Sequence, residues 1–283
     1  MYKKYELLQN DKIEYNGKIL YRIKALKSFY DVEKGDLGGY IEHEGNLSHE
    51  GLCWVYDSAR IYDNAKVYEN AKVYECAKVF ENSIIRSNAR IYGNAIIQGE
   101  AKIYGNARIY DNVKVKDNVR IYDKAEVYEN ARILETAMIC GSSKVHGNAQ
   151  VYGNSAIHGN AQVYGNAEVY GNAHVYGNAH VYNDAQIYCY ADIYGSAIIK
   201  QGIIIGQVSM AYKDIFQHQC KQSILTAILT EDNKILYSTY YHKNITKEDF
   251  IRFICNENGG LEKNPHRAEY LKLITAIEIY FNS

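Results

Sequence analysis

Proline, tryptophan and phenylalanine are scarce in this 283-residue chain, which contains one, one and six of them. The net charge of −1 gives no positive field that would attract nucleic acid or an anionic membrane surface. No run of about 18 apolar residues occurs, and the N-terminal stretch lacks the apolar segment of a signal peptide. We therefore expect a cytoplasmic protein with no membrane partner and no nucleic-acid partner.

The cysteines are dispersed and form no C-x-x-C pair. Disulfide frameworks and zinc sites need cysteines at short, characteristic spacings, so neither is predicted and no metal ligand is expected. We interpret all six as free thiols in a reducing cytosol: Cys53, Cys76, Cys140, Cys189, Cys220 and Cys255.

Tyrosine is the abundant aromatic residue, with 29 copies. A buried core would favour phenylalanine, which has no hydroxyl group that needs a partner. The excess of tyrosine therefore predicts aromatic side chains that face water.

A period of six residues organises the middle of the chain. From Val55 to Ile205 every sixth residue is Ile or Val, and the residue four places after each is small, usually Ala. Val113 and Val119 are the bulkiest of these small residues. A period of six fits neither a helix nor a plain alternating strand, whereas it fits a short strand followed by a corner.

The hexad also predicts which side chains point inward. Its β-branched residue suits a pleated surface buried on one side, and its small residue fills the inside of the corner. Gly or Asn supplies the left-handed backbone that a tight corner needs. Three hexads close a triangular coil of about 18 residues, and stacked coils lie about 4.8 Å apart, which gives about eight or nine coils in a rod roughly 40 Å long.

The hexad V-Y-G-N-A-x resembles the [LIV]-x-x-x-[STAV]-x repeat of left-handed β-helix proteins, a family that includes bacterial acyltransferases. This resemblance, and not the spacing, implies a left-handed coil. The chain is also similar to prophage-type hexapeptide-repeat proteins, some of which are named as transferases, over residues 18–205. That similarity includes Gly35–Ile41 and Cys53–Tyr56. It implies an origin in a phage or another mobile element.

The predicted fold class is mainly β, a triangular left-handed parallel β-helix with a region at each end. Residues 1–54 form an N-terminal β-hairpin, which turns at Asn16-Gly17, and a capping coil. Residues 55–206 form the β-helix. Residues 207–283 form a small α+β domain, which caps the rod, mediates self-association or carries the function itself.

The C-terminal region predicts a hairpin and two helices. Its strands are expected at Ser223–Leu229 and Ile235–Tyr240. Thr246 with Asp249 resembles a cap for a helix over residues 247–256. A second helix opens at Pro265 and ends near Phe281. Its apolar side is expected to contain Ala268, Leu271, Ile274 and Ile277–Ile279.

Outward residues one coil apart are expected to stack into columns. One column is tyrosine, interrupted once by histidine: Tyr56, Tyr74, Tyr92, Tyr110, Tyr128, His146, Tyr164 and Tyr182. Two interpretations stay open. Either the stacked rings stabilise the sheet face, or they form an aromatic surface for a ring-bearing ligand or a protein partner.

The outer surface changes character along the rod. Up to about Glu135 the corners are usually acidic and the residue before each buried aliphatic is usually basic, which predicts ion pairs worth about 0.2–1 kcal/mol each. From Gly141 to Gly195 the corners are mostly glycine, and Gln or His takes most of the basic positions. This neutral surface predicts a protein partner or a homo-oligomer interface, with drift in a young repeat expansion as the alternative. The candidate binding residues are Tyr164, Tyr176, Tyr182, Tyr194, His174 and His180.

Hexapeptide acyltransferases use a histidine as general base, so the resemblance makes His146, His158 and His174 weak catalytic candidates. We expect His158 beneath Tyr176, and no carboxylate beside any of the three, with Asp192 the nearest on that face.

The repeat carries no inserted loop to shape an acceptor pocket and no basic cluster for the phosphates of coenzyme A. We therefore interpret the chain as a non-catalytic solenoid, a dimer or trimer without a cofactor, that engages a host protein such as a defence factor. The alternative is an acyltransferase that uses acyl-CoA at a subunit interface.

Overall fold

The protein is mainly β, and the computed structural model contains a parallel β-helix of stacked three-strand coils followed by a smaller sheet and helices. This confirms the predicted fold class, whereas the hand of the coil stays a prediction from the resemblance. The structure describes residues 3–200, 203–204, 207–208, 214–220, 223–229, 235–238, 246–256 and 267–282.

The N-terminal region contains an antiparallel hairpin of β1, Tyr5–Tyr15, and β2, Lys18–Ala25. Asn16 and Gly17 have φ angles of 51° and 73°, as a two-residue turn that follows the strand twist requires, so the predicted turn is confirmed. Strand β3, Leu37–Ile41, pairs with β2 on one side and with the first coil on the other. The hairpin therefore covers an edge that the end of the solenoid would otherwise expose.

Strands of two residues each form the β-helix. After the 3-10 helix Glu44–Asn46 they are, in chain order, β4 Trp54–Val55, β5 Arg60–Ile61, β6 Lys66–Val67, β7 Lys72–Val73, β8 Lys78–Val79, β9 Ile84–Ile85, β10 Arg90–Ile91, β11 Ile96–Ile97, β12 Lys102–Ile103, β13 Arg108–Ile109, β14 Lys114–Val115, β15 Arg120–Ile121, β16 Glu126–Val127, β17 Arg132–Ile133, β18 Met138–Ile139, β19 Lys144–Val145, β20 Gln150–Val151, β21 Ala156–Ile157, β22 Gln162–Val163, β23 Glu168–Val169, β24 His174–Val175, β25 His180–Val181, β26 Gln186–Ile187, β27 Asp192–Ile193, β28 Ile198–Ile199, β29 Ile203–Ile204 and β30 Gln207–Val208.

These strands stack into three flat sheets, which we name faces A, B and C. Face A contains every third strand from β5 to β29 and is extended by β1, β2 and β3 to 12 strands, while face B runs from β4 to β28 and face C from β6 to β30, with nine strands each. Stacked strands are parallel, as Ile91 pairs with Ile109 one coil on. From Val55 to Ile199 the Ile or Val of each hexad and the small residue after it are buried, which confirms the predicted inside of the coil.

The stacking register changes at both ends of the repeat. Ile41 pairs with Ile61, so the capping coil is longer than a regular one. At the other end Ile187 pairs with Ile204, which is buried. The prediction that the period of six continues to Ile205 is therefore wrong by one residue, because the residue paired with Ile187 lies 17 positions further along the chain and not 18. Ile205 itself lies outside the described residues.

The C-terminal region contains an antiparallel sheet of β31, Asp214–Cys220, β32, Ser223–Leu229, and β33, Ile235–Ser238, and the helices α1, Lys247–Asn256, and α2, Arg267–Asn282. The predicted hairpin and first helix are confirmed, whereas β31 was not predicted. Strand β31 lies against the last rungs of the solenoid. The three domain boundaries stay predictions.

The C-terminal elements share a small core of Ala227, Tyr237, Phe250, Ile274 and Ile277. The Thr246 hydroxyl accepts a hydrogen bond of 3.2 Å from the backbone N–H of Asp249, which confirms the predicted cap. The expected apolar side of α2 is wrong at Ile279, which is 66% exposed, because residues two apart on a helix point to nearly opposite sides. Tyr240 and Pro265 lie outside the described residues, as do the side chains of Ala268 and Phe281.

Along most of the rod, tyrosine side chains lie half-buried on the outer surface. The expectation that aromatic side chains face water is wrong at the N-terminal end of the rod. Tyr5, Trp54 and Tyr62 are buried there, because the hairpin and the loop after it cover the first coils. Phe29 of that loop meets Trp54 edge-on, with ring centroids 5.4 Å apart.

None of the described helices combines the length and the apolar character needed to cross a membrane.

Candidate functional site

Each strand of the β-helix presents two outward side chains, one before and one after its buried Ile or Val. The side chains after the buried residue stack into columns, which we name columns A, B and C after their faces. Column B is the predicted tyrosine column, with rings 4.5–5.1 Å apart except between Tyr74 and Tyr92. His146 lies parallel between Tyr128 and Tyr164, so the imidazole continues the stack that it was expected to interrupt.

Two further ring columns run along the neutral half, which we define as residues 141–200. Column A contains Tyr152, Tyr170 and Tyr188, with centroids 4.9 Å apart. Column C contains His158, Tyr176 and Tyr194, with centroids 4.9 and 5.4 Å apart. The one-coil spacing that predicted column B would also have predicted columns A and C. The neutral half therefore carries stacked rings on all three faces.

Stacking decides which part of each ring is available to a ligand. Tyr164 and Tyr182 are parallel within 4°, and each covers a face of the other. The columns therefore present ring edges, hydroxyl groups and imidazole nitrogens rather than open ring faces. This geometry disfavours a stacked ring-bearing ligand along the neutral half and leaves the protein partner as the stronger interpretation.

The candidate binding residues divide between two faces of the rod. Tyr164, His180 and Tyr182 lie on face B, and His174, Tyr176 and Tyr194 lie on face C. His180 meets the ring of Tyr164 edge-on at 6.3 Å. The structure thus brings the candidates together in two groups and not in one pocket.

His146 has a carboxylate beside it, contrary to expectation. Its Nδ1 lies 3.7 Å from Oε2 of Glu129. Glu129 precedes His146 by 17 residues, one fewer than a full coil. Burial between the stacked rings lowers the pKa of His146, and Glu129 opposes that shift while Lys144 reinforces it. The ring is therefore held mainly neutral by its stack, and both of its faces are covered.

His158 lies parallel to Tyr176 at 4.9 Å, which confirms their predicted contact. Burial lowers the pKa of His158, and the nearby His174 lowers it further. His174 Nδ1 is 3.9 Å from Oδ1 of Asp192, too long for the hydrogen bond that would orient a general base. No group of three or more metal-ligating side chains occurs in the part of the chain that the structure describes.

Most corners of the charged half, which we define as residues 55–140, use acidic residues in the left-handed backbone conformation, such as Glu75 with φ 57° and Glu129 with φ 60°. The expectation that Gly or Asn takes this conformation is therefore wrong at the acidic corners and at Ser87, and right at Gly93, Gly99 and Gly105. All of these acids except Asp117 compensate by accepting a hydrogen bond from a backbone N–H one coil on, as Asp57 does from Glu75 at 3.0 Å and Glu129 from Gly147 at 2.7 Å. These bonds offset a left-handed cost of about 1–2 kcal/mol.

The ion pairs expected between acidic corners and basic rows are few among the described residues of the rod. Arg86 lies 3.9 Å from Glu69, and Glu126 lies 3.7 Å from Arg108 and 3.2 Å from Lys144. Most corner carboxylates point along the rod axis to the next corner and not sideways to the basic row. The charged surface is consequently held by hydrogen bonds to backbone more than by ion pairs.

Asparagine side chains form a hydrogen-bonded ladder beside the corners. It runs through Asn94, Asn112, Asn130, Asn148, Asn166 and Asp184, with donor–acceptor distances of 3.0–3.4 Å. This ladder crosses from the charged half to the neutral half without a break, so it does not distinguish them.

In the neutral half, glycine stacks on glycine at most corners, with Asn183 and Cys189 as the exceptions. Gly159 has φ 68°, and a Cβ placed on it would lie 2.9 Å from the backbone nitrogen of Gly177. These edges are therefore bare backbone, free of long side chains. The neutral half combines ring edges on its faces with unobstructed corners, a flat surface without formal charge over most of its area.

Comparison with protein families gives a match to the family described as YdcK Beta solenoid repeat, at residues 89–101 and 161–177. The first stretch lies in the charged half and the second in the neutral half. The chain is thus similar to this solenoid repeat in two short parts of its rod, in agreement with the observed coils. No curated protein matches the chain.

Proposed function

We propose that the protein is a non-catalytic β-solenoid scaffold that binds a partner protein through faces B and C of its neutral half. The observation that carries the proposal is the set of ring columns that project uncharged hydroxyl and imidazole edges between corners of bare glycine backbone. A surface held rigid by stacking loses little conformational entropy when a partner covers it. Tyrosine is enriched at protein interfaces for this reason, whereas lysine and glutamate are depleted there.

Free hydrogen-bonding groups support the same proposal. The hydroxyl groups of Tyr164, Tyr176 and Tyr182 have no hydrogen-bond partner among the described residues. Burial raises the pKa of Tyr164, so its hydroxyl stays protonated at neutral pH and can both donate and accept. A partner that supplies backbone or amide groups would pair with a row of such hydroxyls repeated at every rung.

The biological setting of the proposal is an expectation from the sequence. A cytoplasmic location is expected from the lack of a signal-peptide segment and from the dispersed cysteines, and the resemblance implies an origin in a phage or another mobile element, with a host protein as the partner. A defence factor of the host is one such partner. Self-association into a dimer or trimer belongs to the same expectation and is read from the same native mass spectra.

The test is a pull-down from host lysate with the intact chain and three double variants. Tyr164→Ser with Tyr182→Ser alters face B, and Tyr176→Ser with Tyr194→Ser alters face C. We expect either pair to reduce capture of a specific protein at least about tenfold, since interface tyrosines are frequent hot spots. Native mass spectrometry of the eluted complex gives its stoichiometry.

The matched control is Tyr110→Ser with Tyr128→Ser, which alters the same column B in the charged half. We expect it to retain capture. A loss of capture equal to that of the neutral-half pairs would refute the proposal. A chain that lacks residues 207–283 separates recognition by the rod from recognition by the C-terminal domain.

Acyl transfer from acyl-CoA at a subunit interface is the alternative that the sequence resemblance implies, with His174, one rung from Asp192 on the same face, as the candidate base to test. In that case acetyl-CoA should raise the melting temperature of the protein, and His174→Ala should abolish hydrolysis or transfer of the acetyl group. No thermal shift together with specific capture of a protein would favour the scaffold over the enzyme.

A further inference from the structure

Column B has one break, and it lies in the charged half. Tyr56 stacks on Tyr74 at 4.5 Å, and Tyr92 stacks on Tyr110 at 4.8 Å. Between these pairs, Tyr74 and Tyr92 are perpendicular, at 87°, with centroids 6.5 Å apart. The column therefore consists of two stacks whose rings have different orientations.

Contacts with the N-terminal cap explain why the first stack differs. The Tyr56 hydroxyl donates a hydrogen bond of 2.7 Å to Oδ1 of Asp31, which also accepts from the buried Lys72 Nζ at 2.8 Å. Lys72 Nζ in turn lies 3.7 Å from the ring centroid of Tyr30. The cap thus fixes the orientation of Tyr56, and Tyr74 follows by stacking. Beyond the reach of the cap the rings share another orientation.

A cavity of about 320 Å³ opens at this break. It is lined by Asp57, Tyr74, Glu75, Arg90, Tyr92 and Arg108. Small-molecule sites occupy about 300–1,000 Å³, so this volume suits a molecule with a single ring. Because the two tyrosines are perpendicular and further apart than the stacked pairs, the rings border open space here instead of covering each other.

Positive charge on the strand side of the cavity is incompletely paired. Arg90 and Arg108 occupy adjacent rungs of face B, where like charges repel. In the same row Lys72 pairs with Asp31, and Arg108 lies 3.7 Å from Glu126. Arg90 forms no ion pair with any residue that the structure describes. An anion held between the two guanidinium groups would relieve their repulsion.

The corner side of the cavity has the opposite character. Asp57 and Glu75 each use one carboxylate oxygen to accept a backbone N–H one coil on, at 3.0 Å from Glu75 and 2.9 Å from Gly93. Their other oxygens are available to a donor. These carboxylates would repel a second negative charge on a ligand and accept a hydrogen bond from a hydroxyl group.

We propose that this cavity binds a single-ring aromatic carboxylate. Its ring lies against Tyr74 and Tyr92, and its carboxylate accepts hydrogen bonds from the guanidinium groups of Arg90 and Arg108. A hydroxyl group opposite the carboxylate donates to the acidic corner. The site lies in the charged half and is independent of the proposed protein-binding surface.

The test is isothermal titration calorimetry of the full chain with 4-hydroxybenzoate as the probe. For a ligand of this size we expect saturable binding with a Kd of about 1 mM or lower. Arg90→Gln should weaken binding at least about tenfold. The matched control is Arg120→Gln, which removes an exposed arginine from the corresponding row of face C and should leave the Kd unchanged.

Two further probes separate charge from ring. Benzyl alcohol keeps the ring without the carboxylate, and cyclohexanecarboxylate keeps the charge without the aromatic face; each should bind at least about fivefold more weakly. Circular dichroism and thermal unfolding establish that both arginine variants are folded. Absence of saturation with the native chain would overturn the proposal, and so would equal affinities for the Arg90→Gln and Arg120→Gln variants.

Discussion

The charged half and the neutral half of the rod share one interior but build their corners differently. Both bury an Ile or Val and a small residue in every hexad. In the charged half an acid such as Glu129 takes the left-handed conformation and accepts a hydrogen bond from the next corner. In the neutral half glycine takes that conformation without a steric cost and contributes no side chain.

The difference shows that the corner is where sequence can change without altering the coil. An acidic corner gains a hydrogen bond and leaves charge along the edge of the rod. A glycine corner loses that bond, avoids the strain and uncovers the ring columns. The two halves thus have the same backbone conformation but present different surfaces to a partner.

The largest expected effect tests whether the two interiors are equivalent. Val127→Asp in the charged half and Val163→Asp in the neutral half each place a charge where the native side chain is 0% exposed. Each should lower the free energy of unfolding by more than about 3 kcal/mol in urea titrations. Tyr128→Ser, an outward neighbour, should cost about 1 kcal/mol or less. Equal damage at Val127 and Tyr128 would contradict the assigned inside and outside.

A smaller effect is expected at an acidic corner. Glu135 has φ 62° and accepts a hydrogen bond of 2.9 Å from the backbone N–H of Gly153. Glu135→Ala keeps the left-handed strain and loses the bond, so it should destabilise the protein by about 1 kcal/mol. Glu135→Gly relieves the strain and should restore most of that loss. If both variants were equally unstable in urea, the two corner types would not be alternative solutions.

The smallest expected effect is on the pH dependence of stability, and it concerns His146 in the neutral half. Burial lowers the pKa of His146 in the folded protein, so the unfolded chain takes up more protons as the pH falls. The stability that His146 contributes is therefore present above the unfolded pKa and is lost as the pH falls from there through the lower folded pKa. His146→Tyr, which completes column B, should reduce the fall in Tm between about pH 7.5 and pH 5.5 by about 1–3 °C.

The surroundings of His146 set the control for this measurement. Glu129 and Lys144 act on its pKa in opposite directions, and the rings of Tyr128 and Tyr164 cover its two faces. Tyr110→Phe, in the same column B, is the comparison variant: burial raises the pKa of Tyr110 to about 12, so its removal should leave the pH dependence between pH 7.5 and 5.5 unchanged. A pH dependence that is identical with and without His146 would mean that its burial does not couple to folding.

The regular features of the rod could be predicted because a strict six-residue period assigns each position of the hexad either to the buried interior or to the outer surface. Val127 and Tyr128 were assigned to opposite sides of the coil from that period alone. Column B followed from the one-coil stride. The turn at Asn16-Gly17 and the cap at Thr246 are local signals, which depend on a few consecutive residues.

The features that were missed depend on contacts between distant residues. The break between Tyr74 and Tyr92 originates at Asp31, a loop residue whose position no periodicity encodes. The carboxylate beside His146 comes from Glu129, one residue away from the stride used to find columns. Acidic corners were misjudged because the hydrogen bond that compensates their strain forms only after the next coil has stacked.

Because the coils are uniform, the length of this rod is a whole number of coils multiplied by the rise of one coil. Between Val55 and Ile199 no hexad is longer or shorter than its neighbours. Gain or loss of one coil, about 18 residues, changes the reach of the rod by one rung of about 4.8 Å and keeps every column aligned. Gain or loss of a single hexad also turns all that follows by a third of a revolution, which carries the C-terminal sheet from one face to the next. Gain or loss of whole hexads would thus change both the distance and the orientation of that sheet in fixed steps.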